Sequence, residues 1–553
     1  MTARAPTVSP TGTAARGGDL DYDWIVIGSG FGGSVSALRL AEKGYRVAVI
    51  ERGRRFAPED LPASAWQIGR FLWAPAIGLR GVMRMTFFRH VVFPSQSGVG
   101  GGSTVYGGVL YRARRRFFQD RQWHALGDWE ALLAPHYATA ERMLGARTVD
   151  FDSTNQRLSR ELARHFGVED GFTLAPTGVF FGEPGQTVPD PYFGGEGPER
   201  TGCIRCGACM IGCRVGAVNS LVRNYLWFAE KRGAVVLPDR AVFDVRPIGS
   251  ADGGDGYRVA MQPPGGWFGR GTTTLTARGI VFAGGALGTN ELLANCRLGG
   301  SLPRISDRLG QVVRTNSESV LNVRLPTDLR TWNDVTASSS VRIDDHTQIE
   351  FLTYGRDADM VGAMYTLLVG KGTRLTRPLK WIGAIMRHPL QWLRTLWPVG
   401  WSRRMVTLLV MQALDNAIAF RPRRRWFGRG YRLVTDQDPL RPNPTYIEIA
   451  NRAAEWLAAR TGGIAQSSIV EALVDMPTTA HVLGGAVMAA DASGGVVDSH
   501  LRVFGYANML VCDGAAMPAN PGVNPALTIA ALAEYAMSKI PDRPRDAPVS
   551  PWA

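Results

Sequence analysis

The spacing of apolar and polar positions divides the chain into short buried strands, helices entered through glycine loops, and long irregular connections. Asp23-Trp-Ile-Val-Ile-Gly28 is a β-branched run ending in glycine, which predicts a buried strand. Ser34 to Lys43 carries apolar residues at helical spacing, Gly44 stops it, and Tyr45 to Glu51 predicts a second strand. A βαβ unit of this length opens a Rossmann-type fold. Two apolar runs repeat the pattern far downstream. Gly279 to Ala283 ends in Gly284-Gly285 and leads into a helix through Leu292. Met509 to Cys512 ends at Asp513-Gly514 and leads, past a Pro/Asn-rich loop, into a helix over Ala526 to Ser538. Junctions so far apart converge on one ligand only if the nucleotide domain is discontinuous.

Between these junctions the pattern changes from continuous to alternating. Ser319-Val-Leu-Asn-Val-Arg324 and Thr347-Gln-Ile-Glu-Phe-Leu352 predict strands with two unlike faces. The expected architecture is α/β. A discontinuous Rossmann-like domain takes residues 21–125, 200–310 and 475–545. A second domain over 126–199 and 311–474 is built on a mostly antiparallel sheet with helices. A chain of 553 residues is too long for a single core, which agrees with two domains. Residues 1–20 lack an apolar run and are expected to be a disordered tail. The Gly-rich stretch 247–272 is expected to be a surface hairpin.

Composition adds a charge anomaly. The net charge is +14, and the window from Lys371 to Arg432 holds 14 Lys/Arg against one acid, Asp415. It is interleaved with Trp381, Trp392, Trp397, Trp401 and Trp426. Basic residues beside tryptophans suit peripheral contact with an anionic membrane surface. A solvated basic face over core helices fits as well, and nucleic acid ranks below both, because no nucleic-acid module is visible. Pro389 excludes one continuous amphipathic helix. No uncharged apolar run reaches the roughly 18 residues of a spanning helix. Six cysteines, four of them clustered, do not form a secreted disulfide framework. A cytoplasmic protein, peripheral at the inner membrane face, is the expected setting.

Gly28-Ser29-Gly30-Phe31-Gly32-Gly33 is a G-x-G-x-x-G between strand and helix. Gly28 makes the tight turn, Gly30 admits a pyrophosphate beside Phe31, and Gly33 lets helix and strand approach. Glu51, at the end of the second strand, is placed to accept from ribose hydroxyls, which argues against NADP. A second Gly-rich element, Gly98-Val-Gly-Gly-Gly-Ser-Thr104, offers more backbone donors through Gly98, Gly101, Gly102 and Ser103 and favours FAD over NAD. The Asp513-Gly514 junction is a candidate contact to the ribityl chain.

Cys203-x2-Cys206-x2-Cys209-x3-Cys213 has the spacing of a bacterial ferredoxin run, although Arg214 replaces the usual proline. An iron–sulfur cluster and a set of free thiols packing a loop are both open readings. Zinc fits less well, because paired zinc knuckles need a longer spacer than that between Cys206 and Cys209. Cys296 and Cys512 complete a ligand set only if folding brings them near.

Together these elements resemble the glucose–methanol–choline (GMC) oxidoreductase family. The matching pieces are VIGSGFGGSVSALRLAEKGYRVAVIERG at 26–53, GVGGGSTVYGG at 98–108, AGGALGTNELL at 283–293 and DGAAMPANPGVNPALTIAALAE at 513–534. HVLGGAVM at 481–488, IEFLTYGRDADMVGAM at 349–364 and LVMQALDN at 409–416 look most like the cholesterol oxidase branch. The resemblance implies non-covalent FAD, a sterol or similar lipid alcohol as substrate, and hydride transfer from its carbinol carbon. It makes His481 the active-site histidine and Asn524 its partner, also beside the flavin. It also implies that Glu350 is a proton shuttle for double-bond isomerisation, against the competing reading of a surface glutamate at a strand edge. The chain departs from the family at Val482, where proline is usual, at Ala486, and at Tyr106-Gly107-Gly108. The rival enzyme reading is a dehydrogenase for another lipid alcohol that passes electrons to a quinone or protein, through an iron–sulfur cluster, rather than to oxygen.

Overall fold

The computed structural model describes residues 20–265, 271–426 and 430–544. The expected tail over 1–20 lies, apart from Leu20, outside the described residues. The first sheet is assembled from three distant parts of the chain. Its neighbours run in the order Val235–Leu237, Val47–Ile50, Tyr22–Ile27, Thr273–Phe282, Tyr257–Gln262 and Ala241–Pro247. Thr273–Phe282 is long enough to serve two partners. Its first half pairs antiparallel with Tyr257–Gln262, and its last residues pair parallel with Met509–Val511. Trp24 to Ile27 lies in parallel register with Gly279 to Phe282. The three predicted glycine junctions therefore end side by side at one edge. The stretch expected as a hairpin at 247–272 is a turn over 248–256, the strand Tyr257–Gln262 and a second loop, with 266–270 outside the described residues.

The helix Phe31–Glu42 starts earlier than its apolar pattern indicates, because the glycines of the fingerprint already lie in its first turn. It packs against Ala526–Ser538, the helix that follows the third junction. Arg39 ties the two, with Nε 2.7 Å from Glu534 Oε2, and Tyr225 Oη donates to the same carboxylate at 2.7 Å.

The second sheet is antiparallel throughout. Its order is Tyr365–Leu367, Ile464–Ser468, Ser319–Arg324, Met405–Gln412, Thr347–Leu352, Ala337–Arg342 and Phe172–Leu174. The period of two sorts its side chains. Ile349 and Phe351 point with Leu321, Val323, Leu408 and Val410 into a core closed by the helices Thr154–Phe166 and Glu448–Thr461. Leu352 falls on the other face with Leu409 and Met411, and by the same alternation so does Glu350.

A four-stranded antiparallel sheet joins the two halves, in the order Tyr431–Gln437, Ile418–Arg424, Val313–Arg314 and Leu483–Gly484. Its register sets Arg314 opposite Leu483 and Val313 opposite Gly484. The residues just after Arg314 and just before Leu483 are thereby forced together.

Candidate active site

Those residues are Glu318 and His481. The His481 Nδ1 is hydrogen-bonded to Glu318 Oε1, and the Ala480 N–H donates to Oε2 of the same carboxylate at 2.7 Å. The Glu318 side chain is fully buried, whereas the imidazole keeps 14% of its surface. Burial pulls the His481 pKa down, but the carboxylates of Glu318 and then Glu350 outweigh it, and the net shift is upward. An Nδ1–H donated to Glu318 fixes the tautomer and leaves Nε2 as the ring's acceptor.

Glu318 is held by an unusual turn. Asn316 (φ 56°) and Ser317 (φ 44°) are consecutive non-glycine residues in the left-handed region, each at a conformational cost. Side-chain bonds maintain them. The Asn316 N–H donates to Asn520 Oδ1 at 2.7 Å, its amide donates to Val523 O at 3.1 Å, and Gly522 N donates to Asn316 Oδ1 at 2.9 Å. Ser317 Oγ donates to Asn416 Oδ1 at 2.8 Å. On the opposite strand Thr479 Oγ1 donates to Thr315 O at 2.7 Å and accepts from His481 N at 3.0 Å. Histidine and glutamate are therefore both fixed by backbone they share.

Glu350 is fully buried within the antiparallel sheet, so the surface reading of this residue is overturned. It accepts from Gln348 Nε2 at 3.1 Å and from Asn524 Nδ2 at 3.4 Å. Burial pushes its pKa up to about 7 against these bonds and the neighbouring His481. Asn524 Oδ1 is buried without a hydrogen-bond partner, an arrangement that a protein interior keeps only when something else supplies the donor. His481, Glu318, Glu350 and Asn524 thus form one electrostatically coupled group.

The third junction reaches the strand that follows His481, a Cβ on Gly514 standing 3.1 Å from Leu483 Cδ2. A Cβ on Gly33 would stand 2.0 Å from Gly28 O, so strand and helix touch backbone to backbone there, while a Cβ on Gly30 would meet nothing within 4 Å. The second glycine loop lies directly on the first. Gly101 (φ +49°) has Gly30 Cα 2.6 Å from where its Cβ would be, and Gly100 N donates to Ser29 Oγ at 3.0 Å. Ser103 Oγ braces the loop by donating to Gly100 O at 2.7 Å and accepting from Leu221 N at 2.9 Å. Glu51 sits beneath, accepting from Ser29 N, Ser29 Oγ and Gly53 N.

Two family models match the sequence, one described as FAD dependent oxidoreductase over residues 23–399 and one as GMC oxidoreductase over 435–533. A protein named cholesterol oxidase from Mycobacterium tuberculosis is 43% identical over 542 residues, 95% of this chain and 92% of that one. The chain is a GMC oxidoreductase. A cholesterol oxidase from Acinetobacter baumannii is 42% identical over 94% of both chains. A crystal structure of pyridoxine 4-oxidase from Mesorbium loti superposes on this GMC oxidoreductase with a TM-score of 0.60 at 16% identity, covering 94% and 99% of the two chains, which shows the shared fold.

This GMC oxidoreductase is an FAD-dependent enzyme that acts on alcohols, and its residues fit that cofactor. The helix Phe31–Glu42 begins at Gly30 with no side-chain cap, so its first N–H groups are left for a phosphate. The helix Gly285–Leu298 differs, because its first N–H, that of Gly285, is already taken by the Asp513 carboxylate. The open space over Gly30 suits the pyrophosphate, Glu51 suits a ribose, and Gly98, Gly101, Gly102 and Ser103 suit the flavin half. Asp513, at the junction expected to contact the ribityl chain, also makes bonds within the protein. Its carboxylate accepts from Gly285 N at 2.8 Å, Ala515 N at 2.7 Å and Thr289 Oγ1, clipping two junctions together, and Gly514 packs against Leu483. Burial raises the Asp513 pKa to about 6.

The four clustered cysteines line one small cavity. Among the described residues no group of three or more His, Cys, Asp or Glu side chains is set to hold a metal ion. Cys296 and Cys512 lie in the core of the flavin-binding half, away from the cavity lining. Sequence reasoning missed Glu318. Only the polar run Thr315-Asn-Ser-Glu-Ser319 ahead of an apolar strand marked it, and such a run usually reads as a turn.

Proposed function

We propose that this enzyme oxidises the 3β-hydroxyl of a sterol or sterol-like lipid. The observation that carries the chemistry is the His481–Glu318 pair, locked by the register of the joining sheet, whose Leu483 packs against Gly514 of the third junction. The extensive identity to two cholesterol oxidases supports the substrate class. His481 Nε2 takes the hydroxyl proton, and Glu318 stabilises the imidazolium that forms. Asn524 keeps an N–H for the carbinol oxygen as it becomes a carbonyl. Bound FAD supplies the hydride acceptor. Glu350, buried and titrating near neutrality, suits a carboxylate that carries a proton between ring carbons, and so supports isomerisation after oxidation.

The substrate is insoluble in water, and the surface offers a means of reaching it. In the helices Thr376–Arg387 and Pro389–Thr395 and their flanks, the apolar residues Leu375, Leu379, Ile382, Met386, Leu390, Leu393 and Trp397 recur at spacings of three and four. On a soluble protein such a stripe faces the core. Here it faces outward, with Leu379 67%, Met386 78% and Leu390 71% exposed. Arg377 anchors the pair from below, fully buried against Asp475 at 2.9 Å and Glu471 at 3.4 Å. This supports peripheral docking on an anionic bilayer. Two members of the sequence window belong elsewhere, since Trp401 is a core residue stacked on Tyr365, and Arg377 is buried.

Anaerobic mixing with a panel of alcohols tests the reading. 3β-Hydroxysterols are expected to bleach the flavin within seconds. Bleaching by long-chain primary alcohols but not by sterols overturns the substrate assignment. Oxygen is the expected acceptor, and admitting air should restore the flavin colour and yield peroxide.

A further inference from the structure

The alcohol chemistry makes no use of Cys203, Cys206, Cys209 and Cys213. All four line one cavity, together with Val215 and Asp334, and none is in a disulfide. We propose that this cavity is an iron–sulfur site, each of the four thiolates ligating one iron of a cubane cluster.

Four features beyond the ferredoxin spacing carry the assignment. First, the loop is wound by left-handed residues, Arg205 (φ 52°), Gly207 (φ 70°), Gly212 (φ 114°) and Gly216 (φ 88°). That winding folds the loop back so that all four cysteines line one cavity, and Gly207 has no room for a Cβ beside Trp332 O at 2.6 Å. Second, backbone N–H groups are aimed at the sulfurs. Arg205 N donates to Cys203 Sγ at 3.4 Å, Ala208 to Cys206 and Thr336 to Cys209. Such bonds stabilise ligating thiolates and tune a cluster. Third, cationic side chains stand at the loop, Arg205 over the Phe151 ring and Arg223 against Gly216, where they offset the negative charge of a thiolate-bound cube. Fourth, the thiols ring a cavity rather than close on a point. A single zinc ion needs sulfurs about 2.3 Å from one centre, whereas a cube holds its cysteines around a core of several atoms.

The site also has a route to the cofactor. Cys209 shares an apolar cluster with Tyr106, and the Tyr106 ring meets Phe31 of the dinucleotide loop edge-on, with centroids 5.3 Å apart. The cluster is therefore placed to take electrons from the reduced flavin. This part rests on the alcohol-oxidising reading. Each alcohol yields two electrons and two protons. Beside the reaction with oxygen, the cluster gives these electrons a second outlet, one at a time, to a small one-electron redox protein, and the protons go to solvent.

The test begins with full-length holoprotein produced and purified without oxygen. About four irons and four acid-labile sulfides per chain are expected. Cys203→Ser and Cys209→Ala should each lower iron while flavin absorbance remains, whereas Cys296→Ser should keep it. Flavin protein without iron, or with zinc in its place, overturns the proposal without needing any variant. Electron transfer is read by photoreducing the flavin, which requires no alcohol and so separates this result from any failure of the substrate assignment. A low-temperature electron paramagnetic resonance signal from a reduced cluster should follow. Its absence in iron-replete protein overturns the route to the flavin but not the site.

Discussion

The two halves of the active site are built by opposite means. The cofactor half works by removing side chains. Gly28, Gly30, Gly33 and Gly101 bring backbone against backbone, and recognition falls to N–H groups and an uncapped helix end. The catalytic half works by crowding polar side chains together under cover, with Glu318, Glu350, Asn316, Asn520 and Asn524 all buried and bonded across hundreds of residues. At its backbone contacts the first half tolerates no added volume, and the second half tolerates no lost partner.

The largest expected effect is on the cofactor side. A Cβ at Gly32 would lie 1.4 Å from Cys512 O, where the first and third junctions touch. Gly32→Ala should yield protein that is insoluble or purifies without flavin, as read by the visible spectrum. If G32A retains full flavin, the backbone contact between these junctions is not what shapes the cradle. Next comes His481→Ala, expected to slow flavin reduction about a thousandfold with flavin retained. Near-normal reduction would remove the histidine from the mechanism.

Glu318→Gln should cost less, about a hundredfold, and has a signature in pH. His481 must be neutral to accept a proton, so the rate rises with pH. In the native enzyme the midpoint is expected above the ordinary value of about 6.5, because Glu318 and Glu350 favour the charged ring. Removing the Glu318 charge leaves burial dominant, and the midpoint should fall. An unmoved midpoint means that Glu318 only supports structure. Glu350→Gln should leave flavin reduction within a few fold while the product keeps its original double bond. In the native enzyme isomerisation should rise with pH through about 7, as the carboxylate ionises. Smallest is the effect of Met386→Asp with Leu390→Asp. Turnover of detergent-dispersed substrate should hold, and binding to anionic vesicles should weaken at low salt. Unchanged vesicle binding would assign these helices another role.

The same contrast explains what was legible in the sequence. Gly28 to Gly33 with Glu51 is a local pattern, and the helix Ala526–Ser538 and the strands Ser319–Arg324 and Thr347–Leu352 lie where periodicity places them. A backbone cradle needs only spacing along one segment, so spacing reveals it. Glu318 meets His481 through a strand register set by Arg314 and Leu483, and no local pattern encodes the meeting of residues 318 and 481. His481 was identified through family resemblance rather than through its own surroundings. The outward direction of the Leu379–Leu390 stripe was equally hidden, because periodicity gives a face but not what it faces.

The strained pair Asn316–Ser317 has a consequence for anyone remodelling this enzyme. Glycine at either position would relax the main chain, though it would also remove the side-chain bonds of Asn316 or Ser317. The gain would come from a corner whose stiffness aims a carboxylate at an imidazole. Hardiness and turnover are therefore coupled through two residues of the turn ahead of Glu318, and selection for one should be visible as drift in the other.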